Sequence, residues 1–121
     1  MYSLLNVCLF VDVIDDIPFP DYDVINLRDY YFDTSKWFNP KGLPINLSIY
    51  LISSRSCPRQ CVYCSMFLAH GPKYRIRSAK NIVDEIEYIY TRFDQHYFSF
   101  MDDNFTLNKT RAVEICKDIM K

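Results

Sequence analysis

The sequence has almost no net charge, no long hydrophobic run and no basic segment near its start. Fourteen basic and fifteen acidic residues give a net charge of −1, so no overall field would attract nucleic acid or an anionic membrane. No apolar stretch approaches the roughly 18 residues that indicate a membrane span. The first residues are apolar but soon turn acidic, which predicts no secretory signal peptide. We therefore expect a cytoplasmic protein with no nucleic-acid partner and no membrane partner.

The composition otherwise suits one folded domain. The 121 residues are 50% hydrophobic and 24% charged, which is typical of a soluble globular chain. Five cysteines are present, and three of them fall within eight positions. An odd, clustered set favours a metal site in a reducing compartment over a disulfide framework.

The chain divides into two parts by pattern. Residues 1–44 predict an N-terminal strand within Leu5–Asp16, followed by an extended linker rich in aromatic residues. The linker, Ile17–Pro44, carries four of the six prolines, and proline favours extended backbone. Residues 45–121 alternate between strand and helix patterns.

The second part predicts an α/β fold. Ile45–Ser53 is apolar on both faces, which favours a parallel strand covered on both sides. A helix should begin after Ser78 and run to about Asp94, with Ile82, Ile86, Ile89 and Phe93 at helical spacing. A second strand should span His96–Met101. A second helix should follow Asn108, with one apolar stripe formed by Ala112, Val113, Cys116, Ile119 and Met120. In such sheets, ligands bind beyond the carboxyl ends of the strands.

Cys57, Cys61 and Cys64 form a C-x3-C-x2-C pattern directly after the first strand. Three thiolates on one loop can hold three irons of a 4Fe-4S cluster and leave the fourth iron open for a substrate. Two neighbouring arginines, Arg55 and Arg59, would favour the thiolate form. The alternative is a small zinc-binding interaction module that adds His70 as a fourth ligand.

Asp102, Asp103 and Asn104 stand where the second strand gives way to a loop. Such residues are frequent at strand ends because they bond nearby backbone and tolerate turns. Two adjacent acids at the same sheet edge as the cysteine loop also suit contact with a bound cation. Both interpretations stay open from the residues alone.

The cysteine spacing resembles the signature of radical S-adenosylmethionine (radical SAM) enzymes, as does Tyr63, the aromatic residue before the third cysteine. The resemblance implies a 4Fe-4S cluster that binds S-adenosylmethionine at its open iron and cleaves it to a 5′-deoxyadenosyl radical. It also implies that Tyr63 lies near the adenine. The ammonium group of the cofactor would contact Asp102, Asp103 or Asn104, since this chain lacks the family's glycine-rich turn. The resemblance assigns no catalytic side chain.

Four stretches narrow the resemblance to the cobalamin-linked branch of the family, which includes methylases and the anaerobic cyclase of magnesium-protoporphyrin monomethyl ester. They are Val13–Leu27, Ser54–Cys64, Lys73–Ile89 and Phe100–Thr106. This branch implies cobalamin, supplied by a domain that the chain does not contain. It also implies a small-molecule substrate and an electron donor such as ferredoxin or flavodoxin.

The resemblance implies a partial TIM barrel, of which residues 45–121 would form the first two βα units. A full eight-unit barrel takes about 250 residues. We expect a truncated or fragmentary chain; a second polypeptide that completes the barrel is the other explanation. Two smaller expectations concern single residues. Arg75 and Arg77 should form a solvated basic edge, with a carboxylate clamp as the alternative. Cys8 and Cys116 should be buried, inert thiols.

Overall fold

The computed structural model describes residues 10–30 and 48–121. Two short sheets and three α-helices make up the regular structure of this part of the chain. The strands are β1 (Ile49–Leu51), β2 (Ser54–Arg55), β3 (Arg75–Ile76) and β4 (Phe98–Phe100), and the helices are α1 (Met66–His70), α2 (Ala79–Phe93) and α3 (Lys109–Ile119). Short 3₁₀ turns occupy Ile14–Asp16, Tyr22–Val24, Leu27–Tyr30 and Phe105–Leu107. None of the described helices is both long and apolar enough to cross a membrane.

Strands β1 and β4 pair in parallel, which confirms the predicted α/β class. Ile49 pairs with Phe98 and Leu51 with Phe100, while α2 connects the two strands. Ile49 and Leu51 face the core, but Tyr50, on the opposite face, is 53% exposed. The expectation that both faces are covered is therefore wrong for this strand, because α2 covers one side and no described element covers the other.

Helix α2 begins and ends where the residue types predict. The hydroxyl of Ser78 accepts a hydrogen bond from the Asn81 amide at 3.1 Å, which caps the first turn. The helix ends at Asp94, whose φ of 54° is left-handed. Ile82 and Ile89 are fully buried, so this face of α2 joins the two halves of the core.

Helix α3 begins after Asn108 as predicted, but it buries a different face. The Asn108 side chain accepts from the Arg111 amide at 3.1 Å. The buried residues are Arg111, Ala112 and Ile115, whereas most of the predicted stripe is exposed: Val113, Cys116, Ile119 and Met120. The orientation follows from packing against α2 and the 3₁₀ turn before α3, which the helical period alone does not specify.

A two-residue antiparallel ladder, β2 with β3, had no clear sequence signal. Ser54 pairs with Ile76 and Arg55 with Arg75. The Arg77 amide extends the contact by donating to the Ser53 carbonyl at 2.9 Å. The ladder therefore links the residues after β1 to the start of α2.

The described part of the N-terminal segment, residues 10–30, lies along α2 and contacts it at three points. Asp15 accepts from the Ser78 amide at 2.9 Å, and the Tyr22 hydroxyl donates to Glu85 at 2.9 Å. Asp23 pairs with Arg92 at 2.9 Å near the end of the helix. Residues 10–13 are not in a strand, and the rest of the predicted N-terminal strand lies outside the described residues, as does part of the linker. The division at residue 44 stays a prediction.

Candidate metal-binding loop

The cysteine loop runs from β2 to α1 and begins two residues after β2. Cys57 and Cys64 are half-buried, Cys61 is exposed, and all three are free thiols. The Cys64 amide donates to the Cys61 carbonyl at 3.0 Å, so the last two cysteines lie on one tight turn. Tyr63, within that turn, is 90% exposed. All three predicted ligands are therefore on one loop and open to approach.

The two ends of the loop are tied together by Ser56 and Gly71. Ser56 is fully buried, has a left-handed φ of 69°, and donates its hydroxyl hydrogen bond to the Gly71 carbonyl. Gly71 has a φ of 75°, and a Cβ at this position would lie 2.9 Å from the Phe10 ring. A non-glycine residue in the left-handed region costs about 1–2 kcal/mol. The strain at Ser56 thus lies immediately before the first cysteine.

Arg75 and Arg77 are buried, so the expectation of a solvated basic edge is wrong for both. Arg75 donates to the carbonyls of Val11 and His70, each at 2.7 Å. Arg77 forms an ion pair with Glu85 at 2.6 Å. Both side chains are enclosed by the N-terminal segment, which the local pattern of residues 73–78 does not reveal.

Arg77 belongs to a buried polar group that includes Glu85 and Tyr22. Glu85 is 2% exposed and accepts the Tyr22 hydrogen bond on one oxygen while its other oxygen lies against Arg77. Burial, and then the hydrogen bond to Glu85, raise the pKa of Tyr22 well above its ordinary value of 10.0. The group lines a cavity of about 180 Å³ beside Arg55, between β1 and the N-terminal segment.

The predicted acids at the second strand end are placed differently from one another. Asp102 is half-buried: one oxygen accepts from the Ser53 amide at 3.0 Å and from the Ser54 hydroxyl at 2.6 Å. Its other oxygen accepts from the Ser53 hydroxyl at 2.9 Å. Asp103 is exposed, and Asn104 is half-buried before a 3₁₀ turn. The structure therefore brings Asp102 to the residues that lead into the cysteine loop.

One residue at this point, Arg111, had no role predicted from the sequence. Arg111, from α3, is 4% exposed and donates to the Ser53 carbonyl at 3.1 Å and to the Ser53 hydroxyl oxygen at 2.9 Å. Its position in the helix could have indicated this role, because Arg111 lies one helical turn before Ile115 and therefore on the buried face. A charged residue in that register indicates a specific partner.

Cys116, expected to be a buried thiol, is exposed. It follows the buried Ile115 by one position, so the helix turns it toward solvent. That expectation is wrong for Cys116, while Cys8 lies outside the described residues.

The donor set of the loop fits an iron–sulfur cluster. Within the described residues, no three His, Cys, Asp or Glu side chains converge closely enough to hold one metal ion. A cluster does not require such convergence, because its thiolates bind different irons and stand around the group. A zinc ion requires four ligands around one atom.

Comparison with known proteins identifies relatives at modest identity. An uncharacterized methyltransferase of Pyrococcus horikoshii is 33% identical over 84% of this chain, which spans 20% of that protein. The anaerobic magnesium-protoporphyrin IX monomethyl ester cyclase of Cereibacter sphaeroides is 29% identical over 91% of the chain and 16% of the cyclase. The cytidylyl-2-hydroxyethylphosphonate methyltransferase of Streptomyces wedmorensis is 29% identical over 84% of the chain and 19% of that enzyme.

The chain is similar to methyltransferases and cyclases of the radical SAM superfamily. The methyltransferase and cyclase relatives confirm the branch that the sequence stretches indicated. These relatives of the chain do not favour the zinc arrangement with His70. No protein-family model matches the chain. No solved structure gives a significant match. This chain spans about a fifth of the length of the curated relatives it matches.

Proposed function

We propose that this chain carries the cluster-binding loop of a radical SAM methyltransferase or cyclase. The observation that carries the proposal is the C-x3-C-x2-C loop, which lies beyond the carboxyl end of β1 in the parallel pair, with the short strand β2 between them. Ligands of α/β proteins bind at that edge. In this proposal β1–α2 and β4–α3 are the first two units of a partial TIM barrel.

Cys57, Cys61 and Cys64 would hold three irons of a 4Fe-4S cluster and leave the fourth iron for S-adenosylmethionine. The cluster would supply the electron that cleaves the sulfonium C–S bond, which gives methionine and the 5′-deoxyadenosyl radical. The exposed Tyr63 would stack on the adenine. Among the strand-end residues, Asp103 and Asn104 have no role in holding Ser53 and would be the first candidates for the cofactor's ammonium group.

The names of the relatives favour methyl transfer or cyclisation as the reaction of the whole enzyme. Cobalamin would then take part. The partners would be a small-molecule substrate, an electron donor of the ferredoxin or flavodoxin type, and either further sequence or a second polypeptide that completes the barrel. We propose a cytoplasmic location, where cysteines stay reduced.

Anaerobic reconstitution of the full chain with iron and sulfide tests the cluster. The wild type should turn brown and bind about four irons per chain. Replacement of Cys57, Cys61 or Cys64 by alanine should abolish the colour, whereas the matched control Cys116→Ala should keep it. A colourless protein that binds one zinc and loses it in His70→Ala would contradict the proposal.

A further inference from the structure

The root of the cysteine loop is held from two sides by opposite charges. Ser53, fully buried, lies four residues before Cys57. Asp102, after β4, accepts from both its amide and its hydroxyl, and Arg111, from α3, donates to both its carbonyl and its hydroxyl oxygen. The Ser53 hydroxyl therefore donates to the acid and accepts from the guanidinium, and it bridges the two charges.

Arg111 is enclosed without a direct counter-ion among the described residues. It is 4% exposed, and its Nη1 also lies 3.4 Å from the Arg77 carbonyl after β3. Nε and Nη2 are buried and find no described acceptor, while the Phe105 ring centroid lies 5.7 Å from the guanidinium carbon. A buried cation is costly unless it is paired or hydrogen-bonded. Arg111 bonds Ser53, whose hydroxyl also donates to the Asp102 carboxylate, so the serine links the cation to an anion.

We propose that Arg111 and Asp102 are positioning residues that fix the root of the cysteine loop for cluster assembly. This inference rests on the proposed function of the loop. Arg111 ties Ser53, two residues after β1, to Arg77, the residue after β3. Asp102, two residues after β4, binds Ser53 as well. The three residues that follow Ser53 include the buried Ser54 and Ser56, so this fixed geometry extends to Cys57.

The test compares Arg111→Met, Arg111→Lys and the control Lys109→Met, which removes an exposed charge from the same helix. After anaerobic reconstitution, Arg111→Met should bind the cluster about tenfold more weakly, the cost typical of losing an outer-shell partner. Its electron paramagnetic resonance spectrum after reduction, with S-adenosylmethionine added, should differ from that of the wild type. Arg111→Lys should restore most of the binding, and Lys109→Met should behave as the wild type.

A second variant and a second measurement cover the remaining outcomes. If Arg111→Met does not fold by circular dichroism, Ser53→Ala removes the bridging hydroxyl with a smaller change and should weaken cluster binding. The inference would be overturned if Arg111→Met bound the cluster as tightly as the wild type and gave the same electron paramagnetic resonance spectrum. If Arg111→Met does not fold, the same two results in Ser53→Ala would overturn it.

Amide exchange on the cluster-free protein separates this inference from the proposed function. In Arg111→Met, residues 53–64 should exchange about tenfold faster than in the wild type, since they lose a tether to α3. If the wild type binds no cluster, the proposed function fails. Equal amide exchange rates in Arg111→Met and the wild type would reject the tether, whether or not the cluster binds.

Discussion

The buried ion pair between Arg77 and Glu85 offers the sharpest test of how the core is held. The Arg77 and Glu85 side chains are 10% and 2% exposed, and their charges lie 2.6 Å apart. Glu85→Gln keeps the shape and an acceptor for Tyr22 but leaves the Arg77 cation buried without its counter-ion. Breaking such a pair from one side costs about 3–5 kcal/mol. A domain of this size is stable by about 5–15 kcal/mol, so the loss should be a large fraction of the total.

The double variant Arg77→Met with Glu85→Gln removes both charges and distinguishes an ion pair from two independent polar groups. We expect the double variant to lose less free energy of unfolding than the two single variants lose in sum. The difference should be about 2 kcal/mol or more, within the range for residues in contact. Urea unfolding followed by circular dichroism measures all four proteins. Single losses that add to within about 0.5 kcal/mol would refute the mutual stabilisation of the pair.

Two further predictions concern the N-terminal contacts. Because the pKa of Tyr22 is raised in the folded state, its contribution to stability is complete below pH 10.0 and is lost as the pH rises toward the folded-state value. Above pH 10, the free energy of unfolding should fall less steeply in Tyr22→Phe than in the wild type, by up to about 1.4 kcal/mol per pH unit; parallel curves would contradict this. Gly71→Ala should lower stability by about 1–3 kcal/mol because φ is 75° and Phe10 is close. In a Phe10→Ala background the loss in urea unfolding should shrink but not vanish, and an unchanged stability in either background would argue against the strained geometry.

Local patterns predicted the features that local chemistry decides. The limits of α2 followed from the Ser78 cap and the spacing of Ile82, Ile89 and their neighbours, all of which lie within one helix. The three cysteines were proposed as metal ligands from spacing alone, and their role as ligands stays a prediction. The parallel pairing followed from the order of strand, helix and strand.

Features set by distant partners were missed or mistaken. Helix α3 has apolar residues on more than one side, and its buried face depends on where α2 and Phe105 lie. Arg111 binds Ser53 across 58 positions of sequence, so no local pattern connects them. Arg75 and Arg77 look like surface charges until the N-terminal segment covers them.

The contacts of residues 10–30 with α2 have a mechanical consequence. Asp15 holds the first turn of the helix, Tyr22 its middle and Asp23 its last turn. A force applied to the chain at residue 10 is therefore distributed along the whole length of α2. The segment and the helix should move together, so a displacement on the N-terminal side would be transmitted to the sheet through the helix as a unit.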